Sequence, residues 1–281
     1  MKERKQYRTL GLLPGILLAA ALWSCTHEEL PAPAEEDARI PLTVQVTDEG
    51  FATDAPSTRT MEEGYKTTFT EGDTIGIFTL QERSTVLYHN LPFVLTSENG
   101  KPVWKNPDGN LLWYDGTPSK YFAYYPYQQQ VPQLLYDTYD PDICLYYLIA
   151  QFSIPADQST YEKYTAADLM VARGDFTPYS PREITFTFVH RMTLLEIDAS
   201  GLSNPSGVRF NNFMPYQPDP DVPFFRYILQ QTRLSSLQGS VPFKDLSLFY
   251  TTSEGEVLDF EFTGIRDLSN RGKCIKYQLK E

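Results

Sequence analysis

Between residues 40 and 46, Ile40, Leu42, Val44 and Val46 alternate with Pro41, Thr43 and Gln45. A repeat of two is the period of a strand with one face buried. The same period appears in Ile184, Phe186 and Phe188 against Thr185, Thr187 and Val189, and beyond His190 it resumes at Leu195 and Ile197. Residues 65–80 predict more strand, with a turn at Glu71-Gly72-Asp73. Asn99-Gly100, between the apolar stretches 93–96 and 102–105, predicts a two-residue hairpin turn, because both residues tolerate positive φ. Residues 111–127 predict a turn at 115–118 and then a strand ending at Pro126, and CLYYLIAQFSI at 144–154 also reads as strand. Residues 157–175 predict a short helical turn followed by a strand at 169–172. The texture changes at the turn-rich GLSNPSG, 201–207, which predicts a boundary near residue 200. A hairpin around Glu254-Gly255 and a terminal strand at 272–281 close the chain.

The first 39 residues have no such period. Lys2, Arg4, Lys5 and Arg8 precede an apolar run from Leu10 to Trp23 that contains Pro14. That is the length of a signal-peptide core and short of the roughly 20 residues that span a bilayer. Leu22-Trp23-Ser24-Cys25 looks like a bacterial lipobox, which predicts a signal peptide at 1–24, cleavage before Cys25 and a lipid on its thiol. Ordinary signal-peptide cleavage and a retained apolar helix are the competing readings. Residues 25–39 hold Glu28, Glu29, Glu35, Glu36 and Asp37 and no Phe, Tyr or Trp, so they predict a solvated acidic tether.

Composition narrows the choice. The chain has 281 residues, 19 Tyr, 17 Phe and 21 Pro, which with the strand pattern predicts an exported all-β protein of many short strands. The formal net charge is −12 and becomes more negative once the basic leader is gone. That balance disfavours nucleic acid and docking on anionic lipid, leaving the lipid on Cys25 as the membrane contact. Cys144 and Cys274 are the remaining cysteines, and export leaves two readings open, a disulfide or two small buried thiols.

Candidate chemistry is sparse. The histidines are His27, His89 and His190, and no HExxH, GxSxG or phosphate-loop motif occurs. His190 reads as structural, its ring bonded near a strand end, and His89 as a loop or strand-end residue. Asp137, Asp140 and Asp142, like Asp219 and Asp221, read as acidic loops, because the EF-hand glycine is missing. No metal, cofactor or catalytic residue is predicted. The tyrosine-rich YFAYYPYQQQ offers a choice between an exposed sugar-stacking platform and alternate burial in a sandwich, with burial favoured.

Several stretches, in order, carry a resemblance. After Cys25 come STRT at 57–60, FTEGDTIGIF at 69–78, YFAYYPY at 121–127, DQS at 157–159 with ADLMVARG at 167–174, and FTFVHRMTLLEI at 186–197. Together they resemble the fimbrillin-like proteins of Bacteroidetes, the FimA/Mfa superfamily of type V pili. The likeness covers residues 25 to about 199, and beyond that GKCIKYQL at 272–279 is similar to a closing strand of the family.

The resemblance implies an all-β chain of two transthyretin-like β-sandwich domains, 40–199 and a smaller 200–281, behind a lipoprotein signal peptide and tether. It implies a cell-surface location, as an outer-membrane lipoprotein, within a fimbrium, or both. It also implies assembly with other fimbrial subunits by strand exchange after Arg-specific cleavage. On this chain the removable strand would carry Ile40, Leu42, Val44 and Val46. The cut would follow Arg59, with Arg39 a second candidate that would leave the strand attached. The donor strand would present Ile275, Tyr277 and Leu279 on one face. A C-terminal part of about 80 residues is short for a stalk pilin, which implies a tip, accessory or anchor role in adhesion. The competing function is a permanently lipidated surface protein that binds glycan or a host protein.

Overall fold

The computed structural model describes residues 40–53, 65–81, 84–114, 119–131, 141–177, 180–230, 246–262 and 271–280. The alternating stretches become strands. These are β1 (Ile40–Asp48), β2 (Ala52–Thr53), β3 (Thr74–Gln81), β4 (Ser84–Glu98), β5 (Lys101–Lys105), β6 (Leu112–Tyr114) and β7 (Ser119–Tyr125). Two short helices follow, α1 (Pro141–Gln151) and α2 (Tyr161–Ala166). Then come β8 (Met170–Thr177), β9 (Ser180–His190), β10 (Thr193–Asp198), β11 (Arg209–Asn211), β12 (Phe224–Leu229), β13 (Ser247–Thr251), β14 (Val257–Phe260) and β15 (Lys273–Gln278). The chain is an all-β sandwich, with two short α-helices among the described residues.

The described strands make three sheets. The largest runs β5-β4-β3-β7-β8-β9-β1-β6. A second runs β12-β10-β15-β2, and a third β11-β13-β14. Asn99 at φ 51° and Gly100 at φ 75° turn β4 into β5, the geometry that a tight hairpin requires. Gly255, at φ 84°, serves the β13–β14 turn in the same way.

Strand β7 explains the tyrosine-rich stretch. Tyr121, Ala123 and Tyr125 face a core with Ile75, Ile77, Phe93, Trp104, Ile184, Phe186 and Phe188. Phe122 and Tyr124 face the opposite core, with Phe78, Leu148, Val171, Leu194 and Ile228. Residues 121–125 are therefore buried on both faces, where the sequence reading expected burial to alternate. The second sheet is also covered on both sides. Leu194, Ile228 and Cys274 point toward β7, whereas Leu195, Ile197, Tyr227 and Leu279 point into a third core against β13.

Two expectations are corrected. The run at 144–154 is not a strand, because Pro141–Gln151 is the helix α1. A continuous apolar run fits a buried strand and a buried helix equally, and here its length and the proline in the first turn favour the helix. Leu148 of α1 plugs the core under β7. His89 lies within β4 rather than in a loop or at a strand end, next to an irregular register where Ile77 pairs with Leu91 but Thr79 with Tyr88.

Candidate functional site

The first strand is held on both edges. Ile40, Pro41 and Leu42 pair antiparallel with Tyr114, Trp113 and Leu112 of β6. From Thr43 to Asp48 the same strand pairs in parallel with Glu183 to Phe188 of β9. Leu42 and Val44 are buried in the core of the large sheet, and Val46 packs against its rim. Ile40, Leu42, Val44 and Val46 thus line one face, as their alternation predicts. Cys25, Arg39 and Arg59 lie outside the described residues.

At the end of β1 the chain meets a buried charge cluster. The His190 side chain has 0% exposure, with Nδ1 2.8 Å from Asp168 and Nε2 3.3 Å from Asp48. The Asp48 carboxylate also accepts the backbone N–H of Thr67 at 2.6 Å and of Gly50 at 3.0 Å. The ring of Phe51 stacks on the imidazole, with centroids 3.7 Å apart and planes at 21°. Burial alone would lower the His190 pKa, but the two carboxylates outweigh it and raise it to about 9. Burial raises that of Asp48, and the His190 contact and the two N–H groups more than reverse this, holding it below the ordinary value. The cluster is an imidazolium between two carboxylates, which agrees with the structural reading of His190.

After Phe51 the chain makes β2, whose two residues pair in parallel with Lys273 and Cys274 of β15. The described chain resumes at Tyr65, whose carbonyl accepts the Phe51 N–H at 3.2 Å. The Tyr65 hydroxyl donates to Glu196 at 2.9 Å. Glu196 is buried on β10 and also receives Arg226 at 3.0 Å, with Lys276 at 3.9 Å. An open cleft of about 460 Å³ runs beside this carboxylate, lined among others by Phe224, Tyr277 and Gln278.

The terminal strand is seated inside its own chain. Leu194 to Asp198 of β10 pair in parallel with Cys274 to Gln278. Ile275, Tyr277 and Leu279 share a face in the third core, and Leu279 is fully buried. Cys274 is a free buried thiol, and burial, aided by Glu196, pushes its pKa up and keeps it neutral. The side chain of Cys144 lies outside the described ones. Asp219 is a turn residue that accepts the Asp221 N–H at 2.9 Å. Among the described residues no three His, Cys, Asp or Glu side chains group as metal ligands.

Three of the stretches that carry the resemblance prove to be structural locks. Gln158 of DQS is fully buried and acts as a strand for β12, accepting the Ile228 N–H at 2.8 Å and donating to the Ile228 carbonyl at 2.9 Å. Asp157 caps Ser159 and pairs with Lys163. Asp168 of ADLM and His190 of FVHRM are the two halves of the ion pair above. A sequence model of the fimbrillin-like family matches residues 58–212, the segment that contains Asp157, Gln158, Asp168 and His190. This chain belongs to the fimbrillin-like family.

Other comparisons place it among similar proteins. A Bacteroides ovatus protein with the provisional name fimbrium tip subunit Fim1C is 30% identical over 224 residues, which is 72% of this chain and 38% of that relative. The chain thus spans well under half the length of the curated relative it matches. A solved fimbrial protein from Bacteroides ovatus superposes with a TM-score of 0.58 at 19% identity, over 86% of this chain and 49% of that one. A solved Bacteroides uniformis structure, provisionally assigned to cell adhesion, gives 0.51 at 14% identity, over 88% and 94%. At these identities the two structures establish a shared fold. Within the fimbrillin-like frame, sequence reading had marked the aliphatic face of β1 but missed Asp48, Phe51 and Thr67 around His190. The signal was faint, a single acid closing an alternating run.

Proposed function

We propose that this fimbrillin-like chain is a fimbrial subunit at the cell surface that accepts a strand from a neighbouring subunit and works at the end of the fimbria, in adhesion. In this reading the chain is exported as a lipoprotein on Cys25. An Arg-specific protease cuts after Arg59, and the segment bearing β1 leaves. The observation that carries the reading is the seat of β1. It supplies Leu42 and Val44, with Val46 packed against them, to a core otherwise built by β3 to β9, and it is bonded to β6 over residues 40–42 and to β9 over residues 43–48. Losing it frees the backbone groups of β6 opposite residues 40–42 and of β9 opposite residues 43–48, and main-chain bonding there is general to any incoming strand.

The terminal strand favours the end of a fimbria over its stalk. A donor role would require Cys274–Leu279 to leave two cores, and Leu279 is among the most buried side chains. A subunit that accepts a strand while keeping β15 in its own cores fits the end of a strand-exchange polymer. The name of the Bacteroides ovatus relative, a tip subunit, agrees with this.

A second reading rests on the cleft beside Glu196. Its rings and charged groups, Tyr65, Phe224, Tyr277, Arg226 and Lys276, are of the kind that grip a sugar, and they would serve a permanently lipidated binder of glycan or host protein. The intact mass and N-terminal sequence of the protein taken from native cell surfaces separate the two. A start at Thr60, or directly after another arginine beyond β1, is the expected result for the strand acceptor. A start at lipidated Cys25 overturns it and leaves the anchored binder.

A further inference from the structure

The groove filled by β1 ends in a receptor for a negative charge. Two groups that hold the Asp48 carboxylate belong to the body that would stay behind after a cut at Arg59. They are the His190 imidazole, at 3.3 Å, and the Thr67 backbone N–H, at 2.6 Å. Phe51, three residues further along the departing segment, covers the face of the same imidazole. Departure of the segment therefore removes four things together, the aliphatic plugs Leu42 and Val44, one carboxylate and one ring. What remains is a buried imidazole with a single carboxylate, Asp168, at 2.8 Å and an N–H with no acceptor. A purely apolar strand would refill the groove but leave those groups dry and incompletely paired, which is costly in a protein interior.

We propose that the groove selects its partner by charge and ring as well as by strand shape. The incoming segment of a neighbouring subunit runs parallel to β9. It carries small aliphatic side chains where Leu42 and Val44 sit, an Asp or Glu where Asp48 sits, and an aromatic residue three positions later. This inference rests on the strand-acceptor reading above. A second copy of this chain is a poor occupant. Ile275, Tyr277, Leu279 and Glu281 repeat the spacing of Leu42, Val44, Val46 and Asp48, but they put a tyrosine where the core holds a valine. Their strand is also already committed to its own cores.

The test uses the full chain cut after Arg59 by an arginine-specific protease, with the cut verified by mass. Its probes are fluorescent synthetic peptides of residues 40–53. The native peptide is expected to displace the cut segment at about pH 7, and the Asp48→Asn and Phe51→Ala peptides to bind about 10-fold or more weakly. The charged groups that act on His190 are Asp48 from β1 and Asp168 from the link between α2 and β8, and the hydroxyls of Tyr125 and Tyr164 sense Asp168 in turn. At about pH 10 the imidazole is neutral, so the native and Asp48→Asn peptides are expected to converge. Equal binding of all three peptides at about pH 7 overturns the proposal while strand exchange stands. A native peptide that fails to displace the cut segment overturns strand exchange and this proposal with it. The substitutions are in the peptide, so the fold of the protein is not at stake.

Discussion

His190 carries its proton in a place that water does not reach, and its stability contribution depends on pH accordingly. The folded-state pKa is raised from 6.5 to about 9. The stabilisation is complete below about pH 6.5 and is lost as pH rises to about 9, a total of about 3 kcal/mol. Asp48 acts in the opposite direction. Its lowered value contributes stability above the ordinary carboxylate range that is lost as pH falls through it. Urea unfolding of the native chain is therefore expected to show stability falling between about pH 6.5 and 9. The His190→Asn chain is expected to lose about 3–5 kcal/mol at neutral pH, because two buried carboxylates are left without a counter-charge. It is also expected to lose that alkaline dependence. An unchanged alkaline slope in His190→Asn would show that the imidazole is not the titrating group.

Strands lock to one another through small residues as well as ladders. Gly76 of β3 lies under the ring of Tyr124 from β7, and a Cβ there would run into the ring and come within 2.7 Å of Asn90 Oδ1. The Tyr124 hydroxyl donates to that same oxygen at 2.6 Å, so β3, β4 and β7 meet at one point. Gly76→Ala is expected to cost about 1–3 kcal/mol, and the cost is expected to shrink in a Tyr124→Ala background, where the ring is gone. A double-mutant cycle by chemical denaturation measures the coupling, and strict additivity would count against the lock. The elements differ in how legible they are in the sequence. Strands with one covered face, such as β1 and β9, print their period of two directly. The helix α1 does not, because a run that is apolar throughout fits either form. The two-residue β2 and the parallel pairing of β10 with β15 are invisible, since each depends on a partner far away in the chain. The site divides in the same way. The aliphatic face of β1 was readable and so was the structural role of His190. The joining of His190 to Asp48, 142 residues earlier, is a tertiary fact with no local trace.

At the scale of the molecule, the terminal strand is the piece that decides between a detachable arm and a structural beam. β15 lies between β10 and β2, with one face in the core beneath β7 and the other in the core against β13. Ending the chain at Gly272 would remove Cys274, Ile275, Tyr277 and Leu279 from those two cores and bare one edge of β10 along its whole length. Leu279 and its neighbours each contribute on the order of 1.5–3 kcal/mol of apolar burial. Their sum is comparable to the 5–15 kcal/mol that holds a typical domain together. The shortened chain is therefore expected to show no cooperative thermal transition and to bind hydrophobic dyes, whereas ending the chain at Lys280 is expected to leave the transition nearly unchanged. A detachable donor arm predicts the reverse for the first variant, a folded monomer whose only defect is failure to reach a neighbour. Calorimetry on the two truncations separates these outcomes. A cooperative transition in the chain ending at Gly272 would return β15 to the role of donor and overturn the proposed place at the end of the fimbria in favour of its stalk.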